Sequence, residues 1–120
     1  MSDLREYIFR YADEQYGSQP EYLWQKYPGY AVLRHKGHSK WYAVIMNVER
    51  SKLGLAGSGA VDLLDVKCDK VLIGSLLGNN GFLPAYHMNK SNWITVLLDG
   101  SVSTEEITFL LDMSYKLTGK

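Results

Sequence analysis

Apolar residues recur at helical spacing in the first sixteen residues and again near the end of the chain. Leu4, Ile8 and Tyr11 predict one face of a first helix that ends near Tyr16, and Gly17 is typical of a helix stop. A last helix shows the same spacing along its predicted buried stripe, which comprises Ile107, Leu110, Leu111, Ser114 and Leu117.

Residues that cap helices support these limits and add a third helix. Asp3 with Glu6, and Ser103 with Glu106, have the spacing of a capping box, in which side chains bond backbone amides of the first turn. Asp69 is a suitable N-cap for a short middle helix. The apolar residues expected on that helix are Val71, Leu72, Leu76 and Leu77.

Alternation with a period of two predicts the strands. Residues 30–36 and 40–48 predict a hairpin whose turn is supplied by Gly37, and residues 60–67 predict a third strand. A further pair of strands flanks a turn at residues 89–92.

The second predicted strand is apolar on both faces. A period of two places one set of residues on one face, namely Tyr42, Val44, Met46 and Val48. The opposite face then carries Trp41, Ala43, Ile45 and Asn47. Such a strand is expected in the middle of a sheet, with helices on one side and partial cover on the other. Before it, residues 18–29 mix prolines with aromatic residues, so we expect an irregular segment held to the core by Trp24 and Tyr27.

The order of elements predicts an α+β fold, with a single antiparallel twisted sheet and helices packed on one face. At 120 residues and 46% hydrophobic composition, the chain is expected to form one domain, residues 1–120. The most apolar window, residues 71–77, is too short to span a bilayer, and a single cysteine, Cys68, favours a reducing compartment. We therefore expect a cytoplasmic protein that makes no membrane contact.

The densest cluster of polar and aromatic side chains lies in residues 83–93. His87, Asn89 and Lys90 fall between Tyr86 and Trp93, and Lys67 is expected to approach from a neighbouring strand. Such groups favour a phosphate or carboxylate held beside an aromatic ring. The alternative is that the two rings belong to the core and the polar residues only form a turn.

Charge is balanced overall but unevenly distributed. The chain has 13 acidic and 13 basic residues, yet residues 26–52 contain six basic residues and one acidic residue. The hairpin that carries Arg34, Lys36 and Lys40 is therefore a candidate surface for nucleic-acid phosphates, with nearby rings available to stack on bases. The alternative is an ordinary solvated turn, in which charged residues block edge pairing.

No reaction-specific constellation appears in the sequence. His35, His38 and His87 do not form a zinc ligand set, since Cys68 is the only thiol that could join them. The glycines of residues 54–59 lack the lysine and the strand-to-helix context of a phosphate-binding loop. We therefore expect no catalytic residues, no metal and no cofactor, and a protein that is not an enzyme.

Several short motifs resemble those of the MmcQ/YjbR family of small bacterial proteins along nearly the whole chain. They lie at residues 20–24, 27–32, 40–43, 64–68, 84–94 and 114–115. The resemblance implies a frataxin-like (CyaY-like) α+β fold, in agreement with the element order. Iron handling, which such a fold also suggests, would need an acidic ridge, and the first helix offers only a thin one.

The same resemblance implies a DNA-binding protein with a double-wing arrangement. The residues assigned to the wings are Arg34, Lys36 and Lys40 on the first and His87, Asn89 and Lys90 on the second, with Lys67 and Trp93 between them. Non-enzymatic DNA binding is the function expected from these observations. The alternative is a module that binds a small anionic ligand or a protein through residues 86–93.

Overall fold

The structure is a computed structural model that describes residues 3–119, apart from the side chain of Asp3. The capping box predicted from Asp3 and Glu6 therefore lies outside the described residues.

Residues 3–119 form three α-helices and five β-strands, which confirms the α+β class. In chain order these are α1 (Asp3–Tyr16), β1 (Ala31–Arg34), β2 (Trp41–Glu49), β3 (Ala60–Lys67), α2 (Lys70–Leu76), β4 (Phe82–Pro84), β5 (Trp93–Leu97) and α3 (Thr104–Leu117). The segment after β2 begins with a short 3-10 turn at Arg50–Leu53. None of the described helices combines the length and the apolarity needed to cross a bilayer.

The strands form one antiparallel sheet in the order β1-β2-β3-β5-β4. The α-helices pack on one face of the sheet. The apolar cluster between the helices and this face includes Ile45, Leu64 and Leu111. A second cluster, which includes Val44 and Leu63, lies on the opposite face. This confirms helices on one side of β2, which is an interior strand, and it leaves the second face to be covered by chain that is not α-helical.

A bulge at Tyr42 changes the faces that the sequence pattern predicted for the start of β2. Leu33 pairs with Ala43, but Arg34 pairs with Trp41, so Tyr42 is an extra residue in the register. Tyr42 consequently packs in the helix-side core with Ala43, and Trp41 packs on the other face with Val44. The predicted faces of Trp41 and Tyr42 were therefore wrong, because one inserted residue inverts the alternation beyond it.

Residues 20–30 cover part of the helix-free face. A backbone bridge from Glu21 to Val32 ties this segment to the edge of β1, and Trp24 and Tyr30 pack on the second cluster. The sequence correctly predicted the attachment through Trp24. Tyr27 instead remains 48% exposed and stacks on Tyr30.

Helix ends follow the predicted capping residues. Gly17, with φ of 68°, ends α1 and donates its amide to the Asp13 carbonyl at 2.9 Å. The Asp69 carboxylate accepts the Leu72 amide at 3.0 Å, and the Ser103 hydroxyl accepts the Glu106 amide at 3.2 Å.

Two helical stripes were predicted too broadly. In α2 the buried residues are Ile73 and Leu76, whereas Val71 is 82% exposed. A seven-residue helix presents only two turns to the sheet, so the residues beside that narrow line remain in solvent. In α3, Leu117 is likewise exposed at the end of an otherwise buried stripe.

The turn between β1 and β2 contains Gly37 as predicted, but its left-handed position is Ser39. Ser39 adopts the left-handed conformation with φ of 64°, and its amide bonds the His35 carbonyl at 3.0 Å. Because a side chain at positive φ is strained, Ser39→Gly should raise the free energy of unfolding by roughly 0.5 to 1 kcal/mol in urea denaturation. Gly37→Ala is the matched control and should not produce this gain from strain relief. A loss of stability in Ser39→Gly would contradict this account of the turn.

Candidate functional site

A pocket opens on the helix-free face of the sheet, and we call it the aromatic pocket. Its volume is about 270 Å³. The residues that line it are Trp24, Tyr27, Tyr30, Trp41, Val44, Met46, His87 and Met88. Aromatic and apolar lining with a few polar groups is typical of sites for small organic ligands, and this volume lies at the small end of such sites.

Three parts of the chain build the aromatic pocket. Val44 and Met46 of β2 form its floor, and the bulge brings Trp41 onto the same face. The 20–30 segment supplies one wall and the 85–92 loop supplies the other. The pocket therefore depends on the two connections that cover the helix-free face and on the register of β2.

Ring contacts fix the orientation of the aromatic wall. The Trp24 ring meets Trp41 edge to face at 5.7 Å and meets Tyr30 edge to face at 6.1 Å. Tyr27 stacks on Tyr30 with centroids 4.7 Å apart and planes 16° apart. Such offset and edge contacts are the arrangements that aromatic pairs prefer, so the wall is preorganised, with Tyr27 as its outermost ring.

The 85–92 loop carries His87 into the pocket in a strained backbone conformation. His87 has φ of 60°, and its ring lies 4.1 Å from the Tyr86 ring, centroid to centroid. The loop is held by the Tyr86 amide, which donates to the Thr95 hydroxyl at 2.9 Å, and by Asn89, whose side chain accepts the Ser91 amide at 2.9 Å. A non-glycine residue at positive φ persists only where its surroundings hold it, and such residues cluster at binding sites.

Asp65 lies fully buried in the sheet beside the floor of the pocket. It pairs with Val44 on one side and with Thr95 on the other, and the Thr95 hydroxyl donates to Asp65 Oδ1. Among the described residues Oδ2 has no hydrogen-bond partner. Burial raises the pKa of Asp65 to about 7, against lowering effects of the Thr95 hydrogen bond and the Lys90 charge.

The two wings predicted from the sequence project from the same end of the sheet. Ala43 pairs with Val66, Val66 with Ile94 and Ile94 with Pro84, so the 35–40 turn and the 85–92 loop share this end. Three strand spacings separate their centres, which is about 14 Å.

Two of the predicted basic residues are engaged elsewhere. Arg34 forms an ion pair with Glu21, with Nε at 2.8 Å from Oε2, so this edge carries little net charge. Lys36 lies over the end of α1, where its Nζ would be 3.3 Å from a Cβ on Gly17. A cation at a helix C-terminus is favourable, and Lys36 places its ammonium group at that end of α1.

The other predicted residues lie near the pocket at different depths. Lys67 and Trp93 are cross-strand partners and are both half-buried. Lys40 is exposed directly before Trp41, and Asn89 and Lys90 are exposed in the 85–92 loop. Only His87 of the predicted set lines the aromatic pocket. A binding role for the set as a whole stays a prediction.

Sequence reasoning missed the aromatic wall and the isolated carboxyl. The signals were present: residues 22–30 contain four aromatic residues, and Asp65 is a charged residue directly between the apolar Leu64 and Val66 of β3. Trp41 was placed on the wrong face because the bulge leaves no mark in the hydrophobic pattern.

Two further reactive side chains have structural surroundings. His35 is buried, stacks on Tyr115 at 4.0 Å and pairs its Nε2 with the Thr118 hydroxyl at 2.8 Å. Burial is the main factor that lowers the pKa of His35, so its ring is neutral at physiological pH. Cys68 is buried, and burial raises its pKa to about 11, which suppresses the thiolate. No group of three possible metal-ligating side chains occurs within residues 3–119.

Comparison with protein families gives a match over most of the chain. The family model described as YjbR matches residues 14–117. The chain belongs to the YjbR family. This confirms the resemblance that the short motifs indicated.

Relatives of this YjbR-family chain match it over nearly its whole length. An uncharacterized protein, YyaQ of Bacillus subtilis, is 45% identical over 95% of this chain and 97% of its own. The crystal structure of a Pseudomonas syringae protein is 44% identical, superposes with a TM-score of 0.92, and is matched over 95% of this chain and 97% of its own. A Deinococcus radiodurans protein, DR2400, described with a DUF419 domain, is 25% identical with a TM-score of 0.74 over 100% of this chain and 80% of its own.

The buried carboxyl of this YjbR-family domain makes stability depend on pH. The pKa of Asp65 is about 7 in the folded chain against an ordinary value of 3.8, so the folded state favours the protonated form. That stabilisation is fully present below about pH 4 and is lost as pH rises through about 7, for a total of about 4 kcal/mol.

Asp65→Asn should therefore be more stable than the natural chain at about pH 8, by roughly 2 to 4 kcal/mol, and should lose this advantage near pH 4. Urea denaturation across this range measures both curves. Asp62→Asn, the same change on the opposite face of β3, should not reproduce the gain. Equal pH dependence in Asp65→Asn and the natural chain would contradict the assignment.

Proposed function

We propose that this domain is a non-enzymatic module that binds an unpaired nucleobase, together with its phosphate, in the aromatic pocket. The observation that carries the proposal is the set of four oriented rings, Trp24, Tyr27, Tyr30 and Trp41, around one pocket on a helix-free sheet face. The proposal restricts the DNA binding expected from the sequence to single-stranded DNA.

Stacking supplies most of the expected affinity. Bases stack on aromatic side chains with roughly 1 to 3 kcal/mol per base, and sheet-based modules use exposed rings in this way. Tyr27 presents a half-exposed ring at the mouth of the pocket, and Trp24 and Trp41 lie edge to face behind it. A pocket of about 270 Å³ suits one flat ring system rather than an extended molecule.

Basic residues near the pocket supply contacts to phosphate. Lys40, Lys67 and Lys90 lie at the end of the sheet from which the 85–92 loop projects, and Lys26 lies within the 20–30 segment. Each lysine that neutralises a phosphate adds a salt-dependent contribution. With zero net charge there is no global field, so we expect modest affinity and a shallow dependence on salt.

Duplex DNA fits this surface less well than an unpaired base. Paired bases are already stacked and cannot enter a pocket, and Arg34 on the first wing is neutralised by Glu21. The alternative function, a site for a small anionic ligand, uses the same chemistry when the base and phosphate belong to a free nucleotide. A dinucleoside monophosphate and a longer single strand therefore serve as separate probes.

Fluorescence anisotropy at low salt tests the proposal with a labelled single-stranded oligodeoxyadenylate and a duplex of equal length. Tyr27→Ala should weaken single-strand binding about 5- to 30-fold through lost stacking. Tyr22→Ala is a matched control, because Tyr22 is 55% exposed in the same segment but does not line the pocket. Its affinity should be unchanged.

The dinucleoside monophosphate, used as a competitor, distinguishes the two sources of ligand. Displacement of the strand at similar concentrations of competitor favours a free nucleotide, whereas much weaker displacement favours a strand. Binding of neither probe at low salt, or equal losses in Tyr27→Ala and Tyr22→Ala, would overturn the proposal.

A further inference from the structure

Asp65 has a buried oxygen atom without a hydrogen-bond partner. The residue is fully buried, and among the described residues Oδ1 accepts from Thr95 while Oδ2 accepts from none. A buried carboxyl oxygen left in this state is costly, so it is uncommon in native proteins and calls for an explanation.

A short chain of contacts connects Asp65 to the aromatic pocket. Thr95 donates its hydroxyl to Asp65 and accepts the amide of Tyr86 at 2.9 Å. The Tyr86 ring lies 4.1 Å from the ring of His87, which lines the pocket. The position of the 85–88 segment, which includes the strained His87, therefore depends on the Thr95 hydroxyl, which is itself hydrogen-bonded to the buried carboxyl.

The charged and titratable groups around Asp65 come mainly from the 85–92 loop. Lys90 is the cation that acts on the carboxyl, and Tyr86 lies on the same face next to Tyr30. From β2 the neighbour is Val44, and on β3 itself Lys67 follows two residues later on the same face. Asp65 and Lys90 thus form an electrostatic link between the sheet and the loop that edges the pocket.

We infer that Asp65 is a positioning residue for the aromatic pocket. It holds the 85–88 segment through Thr95 and attracts Lys90 through its charge. The proton on Asp65 therefore governs how strongly the pocket binds a phosphate. The inference rests on the proposed function for its ligand, and it assigns a regulation to that site. Its effect on the loop exists in the ligand-free protein as well.

The direction of the effect follows from the charges. When Asp65 is ionised, its carboxylate competes with a bound phosphate for Lys90 and repels that phosphate. When Asp65 is protonated, Lys90 is available to the phosphate and the repulsion is gone. Burial raises the pKa of Asp65 to about 7, so affinity should rise as pH falls through neutrality. By linkage, binding near neutral pH should take up protons.

The pH profile of binding to the oligodeoxyadenylate tests this inference. Its internal phosphodiesters and its bases keep constant charge between about pH 6 and pH 8, unlike a phosphate monoester, which titrates near 6. Affinity of the natural chain should rise by about 3- to 10-fold from pH 8 to pH 6, because one proton bound at a group with a pKa of about 7 limits the change over this interval to about tenfold. Asp65→Asn should show a flat profile close to the low-pH affinity.

Two controls separate Asp65 from its neighbours. His87→Asn removes the imidazole that lines the pocket, and the pH dependence should remain, at lower affinity. Asp62→Asn, on the opposite face of the same strand, should keep both the affinity and the profile. A profile that persists in Asp65→Asn and disappears in His87→Asn would overturn the inference.

Amide NMR spectra of the ligand-free protein give a readout that does not depend on binding. Signals of Tyr86, His87 and Lys90 should shift with one common midpoint near neutral pH, and these shifts should vanish in Asp65→Asn. Loop shifts without binding of any probe would refute the proposed function and leave the positioning role standing. Binding without loop shifts and without a pH profile would refute the positioning role alone.

Discussion

The arrangement of this molecule depends on a sheet that is apolar on both faces but has helices on only one. Val44 and Leu63 are nearly as buried as Ile45 and Leu64, yet none of the described α-helices packs over them. Burial of such side chains contributes roughly 1.5 to 3 kcal/mol each, so the second face must be covered for the fold to be stable. Irregular chain rich in aromatic rings provides that cover, and a cover made of rings leaves gaps that a bundle of helices would fill.

The aromatic pocket is such a gap, and the bulge in β2 determines its composition. Without the extra residue at Tyr42, alternation along β2 would direct Trp41 toward the helices and Tyr42 toward the pocket.

Both edges of the sheet are protected. β4 has only three residues and ends at Pro84, and the bridge from Glu21 covers part of β1. Short, covered edges of this kind resist pairing between sheets of different molecules.

Local patterns in the sequence were sufficient to predict most of the fold. Gly17, Asp69 and Ser103 mark helix limits through backbone chemistry that acts within a few residues, and those limits were correct. The α+β order followed from periodicity. The predictions failed at the bulge in β2, where one inserted residue changes the face on which Trp41 and Tyr42 lie. They also failed at Ser39, because the conformation of that turn depends on the surrounding structure.

The candidate site was predictable only in part, because a pocket is a property of tertiary structure. The cluster at residues 83–93 led to His87, and the topology placed the two loops at one end of the sheet. The wall formed by Trp24, Tyr27 and Tyr30 comes from a segment more than fifty residues earlier, and no local pattern links it to His87. Asp65 could be noticed in the sequence, but its unpartnered oxygen could not.

The three tryptophans allow the most direct test of where the ligand binds. Trp24 and Trp41 line the aromatic pocket, whereas Trp93 lies outside it next to Lys67. In an NMR titration of nitrogen-15-labelled protein with a short single strand, the indole N–H signals of Trp24 and Trp41 should shift together and saturate, and Trp93 should change little. A titration in which Trp93 alone moves, or in which no indole signal moves while the strand binds, would contradict the assignment of the aromatic pocket as the binding site.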